Sequence, residues 1–116
     1  MASMTDYPKK ALLIDGKFGK FTIYAMQYFL KYKAGGLYQR SCDGIWGYYT
    51  ALALQYFLKN KGYYTYAVDG NAGERTWGAL TSYIHAATGW HYIHPPLSWP
   101  TSGMTKVIQR WMNSVR

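Results

Sequence analysis

A chain of 116 residues carries 13 Lys and Arg against 5 Asp and Glu, a net charge of +8; that length suits one domain with one core. The cationic balance, together with thirteen Tyr and five Trp, favours an anionic partner such as nucleic acid, acidic lipid or a cell-wall polymer. A single cysteine excludes an internal disulfide, and the longest nearly apolar run, residues 45–58, is too short to span a bilayer and is broken by Gly47, Thr50 and Gln55.

Residues 1–7 read as an N-terminal tail or tag remnant, with no signal-peptide pattern, and residues 8–116 as a single domain. The first motif, Asp15-Gly16-x-x-Gly19-x-x-Thr22, introduces Ala25, Met26, Phe29 and Leu30 at positions +3, +4, +7 and +8 after the threonine. That spacing is one face of an α-helix. A second copy, Asp43-Gly44-x-x-Gly47-x-x-Thr50, starts 28 residues later and is followed by Ala53, Leu54, Phe57 and Leu58. The third, Asp69-Gly70-x-x-Gly73-x-x-Thr76, starts 26 residues further on and leads into Ala79, Leu80, Tyr83 and Ile84. A fourth, degraded copy aligns Met104 with the threonines. It places Val107, Ile108, Trp111 and Met112 on the same face and Gln109 at +5, where Gln27 and Gln55 stand. Its loop has lost Asp-Gly, reading Leu97-Ser98-Trp99-Pro100, and Ser102 is its candidate cap.

The repeats therefore run over about 14–35, 42–62, 68–88 and 97–116, with Gly35 and Gly36, Gly62 and Gly89 as left-handed stops. Helices are expected at 22–33, 50–61, 76–87 and 104–115. One repeat buries too little to offset the ordering of its backbone, so the copies must share a core. The expectation is an all-α fold, a small bundle of three to four short helices.

Each motif residue has a mechanical reading. The aspartates Asp15, Asp43 and Asp69 accept backbone N–H groups in Asx-turns, and Gly16, Gly44 and Gly70 take positive φ. Gly19, Gly47 and Gly73 allow a second bend or a close backbone approach. Thr22, Thr50 and Thr76 are expected N-caps. Phe18 and Trp46 plug two of the loops, where the third has Ala72.

Catalytic readings fare worse. Glycan cleavage needs two carboxylates in different protonation states, whereas these aspartates recur at one turn position, which a structural role explains; Glu74 stands where other copies have Lys20 and Tyr48. Cys42 takes the apolar slot that Ile14 and Val68 fill before the other aspartates, the place of a buried small side chain and not of a nucleophile. His91 and His94, with His85 upstream, lie outside any metalloprotease spacing. No enzyme activity, metal or cofactor is expected. Nucleic-acid binding is the alternative that charge and aromatics suggest, but the cations are scattered and no groove-reading motif occurs.

The motif Asp-Gly-x-aromatic-Gly-x-x-Thr, with Ala at +3 and Gln at +5, resembles the peptidoglycan-binding domain repeats that accompany bacterial and phage murein hydrolases. The resemblance covers residues 14–84, with Ala72 at the aromatic site and Thr81 at the glutamine site as departures. It implies a small three-helix fold and a non-catalytic targeting role beside a covalently attached catalytic domain, as in a phage endolysin or autolysin. The implied partner is peptidoglycan or an associated anionic wall polymer, met at the bacterial cell wall after cytoplasmic synthesis and phage-mediated release. The candidate binding surface comprises Tyr24, Tyr28, Tyr48, Tyr49, Tyr56, Tyr63, Tyr64 and Tyr66.

Overall fold

The computed structural model describes residues 3–90 and 98–116, and in it all four expected helices form, each two residues ahead of its expected start. Helix α1 spans Lys20–Tyr28 and continues through a π-helical turn, Phe29–Lys33. Helix α2 is Tyr48–Asn60, α3 is Glu74–Thr88 and α4 is Ser102–Ser114. A 3-10 turn, Met4–Asp6, precedes them, and no strand occurs among the described residues.

The early starts correct the capping assignment. Gly19, Gly47 and Gly73 are the N-caps, and their carbonyls accept the first helical bonds from Ile23, Ala51 and Trp77 at 2.9–3.0 Å. Thr22, Thr50 and Thr76 sit one turn inside, buried, with their hydroxyls turned toward the core instead of the helix end. Nothing lies within 4 Å of a Cβ built on Gly19, Gly47 or Gly73, so these glycines make no close approach. In α4 the cap is Thr101, whose Oγ1 accepts from the Met104 N–H, and not Ser102.

Buried glutamines organise the molecule. Gln27 of α1 accepts from the backbone N–H groups of Asp43 and Gly44 at 3.0 and 2.9 Å. Its Nε2 lies 3.0–3.1 Å from Asp43 Oδ1, the Ile45 carbonyl and Thr50 Oγ1. Gln55 of α2 treats Asp69, Gly70, Asn71 and Thr76 in the same way. Gln109 of α4 reaches back to the first loop, accepting from the Gly16 N–H and donating to Asp15 Oδ1 and Thr22 Oγ1, each at 3.0 Å. Each glutamine thus reads the loop of the following copy, and the last reads the first. The chain closes into a ring of four repeats, not the three-helix unit that the resemblance implied. The fourth loop alone lacks Asp-Gly, and the helix before it alone lacks the glutamine, having Thr81.

Two aromatic clusters join the repeats, one in the core and one, half-buried, among the loops. The +7 residues of all four helices meet: Phe29 lies 5.2 Å from Phe57 and 4.9 Å from Trp111, and Tyr83 lies 5.0 Å from Phe57 and 5.7 Å from Trp111. Among the loops, Phe18, Trp46 and Trp99 pack 5.0–5.8 Å apart. The ring missing at Ala72 is supplied by Trp77, 5.3–5.9 Å from all three. The N-terminal segment set aside as a tail also contributes to the core. Tyr7 is 3% exposed and donates to the Met112 carbonyl at 2.6 Å.

Candidate functional site: the loop cradles

Each Asp-Gly loop forms a cradle between the segment that leads into it and the helix that follows. The Asx-turns are as expected, with Asp15, Asp43 and Asp69 each accepting the N–H two residues on at 3.0 Å. Gly16, Gly44 and Gly70 have φ of 74°, 73° and 73°. They also allow close packing: a Cβ on Gly44 would stand 2.8 Å from the Lys20 carbonyl oxygen, and one on Gly70 would strike the Tyr48 ring.

The aspartates are structural acceptors. The Lys17 backbone N–H, then the Gln109 amide, holds the Asp15 carboxyl below the usual carboxylate range; the Asn71 N–H and Gln55 do the same for Asp69. A carboxyl stabilised as the anion is a poor proton donor, so neither suits the acid role of a glycosidase pair. Burial pushes the Cys42 thiol up, away from nucleophilic character. Among the described residues no cluster of His, Cys, Asp and Glu is arranged to hold a metal, and His91 and His94 lie outside those residues. No helix among them is long and apolar enough to cross a membrane.

The candidate tyrosines fall into separate groups. Tyr24 and Tyr28 run along α1 with Tyr32, ring centroids 6.5 and 4.6 Å apart. Tyr48 and Tyr49 adjoin at the start of α2, Tyr63 packs on Tyr83, and Tyr56 is exposed on α2. Tyr64 is not a surface residue. It is 5% exposed, donates to the Ala67 carbonyl at 2.8 Å and approaches Gln55, as Tyr38 approaches Gln27. Its apolar body is taken up by the core and its hydroxyl by the cradle, a role that counting tyrosines does not separate from display.

An arginine–tyrosine stack flanks two of the cradles. In the second copy Arg40 lies 3.8 Å from the Tyr49 ring centroid; in the third, Arg75 lies 4.0 Å from that of Tyr66. The two stacks occupy the same pair of repeat positions with the residues exchanged, three before the aspartate and six after it. The sequence carried this signal, though only as two residues nine apart. In the first copy those positions hold Leu12 and Phe21, and Lys10 replaces the buried tyrosine.

There the cradle opens into a mostly apolar cavity of about 570 Å³, against a depression of about 310 Å³ in the third copy. The repeat equivalent of every residue lining the depression lines the cavity. Met4 and Tyr7 add a further wall, and Lys10, Lys17 and Lys20 stand at the rim. In comparisons with protein-family models, curated proteins and solved structures, the chain matches none.

Proposed function

We propose that this chain is a non-catalytic module that binds the bacterial cell wall, carried beside a murein hydrolase such as a phage endolysin or autolysin. The observation that carries the reading is a division of labour within the repeats. The recurrent polar residues, which bear the resemblance to peptidoglycan-binding repeats, bond inside the ring through Gln27, Gln55 and Gln109. Outside these bonds, tyrosines face outward: Tyr48, Tyr49, Tyr63 and Tyr66, at positions that vary between copies, and Tyr56 are all exposed on a chain of net charge +8. Flat amphipathic rings and cations suit a surface of glycan, acidic peptide and anionic polymer.

Retention on purified sacculi tests the reading. The chain is expected to sediment with Gram-positive walls, both before and after removal of teichoic polymers, and to leave wall turbidity unchanged. Failure to sediment with walls from any Gram-positive source overturns it. Steeply salt-dependent binding to DNA or RNA in place of wall retention would favour the nucleic-acid alternative.

A further inference from the structure

We infer that the cavity of the first cradle is a binding site for the C-terminal carboxylate end of a short peptide with small apolar side chains. On the wall-binding reading, on which this assignment of ligand rests, that peptide is the wall's stem peptide.

Charge gives the first argument. The ammonium groups of Lys10, Lys17 and Lys20 ring the cavity and make no hydrogen bond or ion pair among the described residues. Two carboxylates also line it, so the cations exceed the anions by one; both accept from neutral donors, Asp6 from the Ser3 N–H and Asp15 from the Lys17 N–H and the Gln109 amide, and leave the lysine ammonium groups without an ion pair. The Lys20 ammonium lies 5.8 Å from the centroid of the Phe21 ring, and Lys17 is close enough to Asp15 to stabilise its anion. An apolar recess with cations at its mouth that no carboxylate ion-pairs suits a ligand with an apolar body and an anionic end.

The backbone gives the second. Leu12 exchanges both its N–H and its C=O with the Asn113 side chain of α4, at 2.7 and 3.1 Å. Both groups of one residue point the same way only in extended chain, where those of its neighbours point oppositely. The backbone N–H groups of Ala11 and Leu13, which also line the cavity, have no hydrogen-bond donor role within the described protein. This is an unpaired edge that a peptide backbone can join and an acyl chain cannot.

The repeats give the third. Copies two and three lay Arg40 on Tyr49 and Tyr66 on Arg75 across the same place, and the third keeps a depression of about 310 Å³ there, whereas Leu12 and Phe21 form no such stack and the cavity is about 570 Å³.

The experiment is NMR titration of the full chain with N-acetyl-trialanine, its C-terminal carboxamide, and octanoate. The free acid is expected to shift the amides of Ala11, Leu13, Lys17 and Phe21, and the carboxamide to bind at least about tenfold more weakly through loss of the charged contact. Lys20→Glu should weaken the free acid similarly. The fold accommodates that change, since Glu74 holds the equivalent position, and Lys59→Glu, outside the cavity, should change nothing. Absence of shifts, equal binding of acid and carboxamide, or binding of octanoate alone overturns the inference. Sacculus retention without trialanine binding overturns it and leaves the wall reading standing. Trialanine binding without retention supports the peptide site and overturns the wall reading.

Discussion

Gln27 and Gln55 each serve two backbone N–H groups, a carboxylate and a threonine hydroxyl from a single fully buried amide. Their cost of removal is set less by the bonds lost than by the donors left without water or partner. Gln27→Leu is expected to destabilise the chain by about 3–5 kcal/mol, with several buried groups each contributing about 1–3, read as a lower midpoint in urea at unchanged slope. An exposed Gln39→Leu should move it negligibly.

The same loops set an acid dependence. The carboxyls of Asp15 and Asp69 are held below their ordinary range in the folded chain. Their stabilisation is therefore full above the unfolded carboxylate pKa of about 4 and is lost as pH falls through the folded values. Thermal melts from about pH 5 to about pH 2 should show a falling midpoint. Asp15→Asn, which keeps the accepting oxygen and removes the charge, should flatten that limb. An unchanged limb would show that Asp15 does not contribute to it.

At the scale of the element, each loop uses its two glycines differently. Gly44 combines φ of 73° with a Cβ position 2.8 Å from the Lys20 carbonyl oxygen, so Gly44→Ala should cost about 2 kcal/mol or more. Gly47 is an N-cap in extended conformation with open space around it, so Gly47→Ser should stabilise α2 by about 0.3 kcal/mol. Calorimetric midpoints of the two variants should move in opposite directions.

The helical faces were legible in the sequence because +3, +4, +7 and +8 are local spacings that burial enforces in every copy, and the register of the fourth copy was confirmed by Trp111 and Gln109. The helix starts were not. A threonine before an apolar stretch has the same composition whether it caps the helix or turns its hydroxyl to a distant glutamine, and the glutamine is 87 residues from Thr22 in the last case. The cavity was hidden for a related reason. It arises from what Leu12 and Phe21 do not do, which shows only beside the stacks of the other copies.

At the scale of the whole molecule, the ring has no dispensable member. Helix α4 contributes Met104, Ile108, Trp111 and Met112, all at most 1% exposed, besides the amide that holds the first loop. Burial of those four side chains is worth roughly 8 kcal/mol at about 2 each, comparable with the entire stability of a small domain, about 5–15 kcal/mol. Its loss also exposes Tyr7, Phe29 and Tyr83, which pack against it. A chain ending at Gly89 is therefore expected to lose cooperative unfolding and near-ultraviolet dichroism while keeping part of its helical signal. Supplying residues 98–116 as a separate peptide should restore both, because the missing contacts are made by side chains and do not require the covalent link. A truncated chain that melts in one cooperative step with native aromatic dichroism would show that three repeats suffice, and that closure by Gln109 adds to a unit already folded.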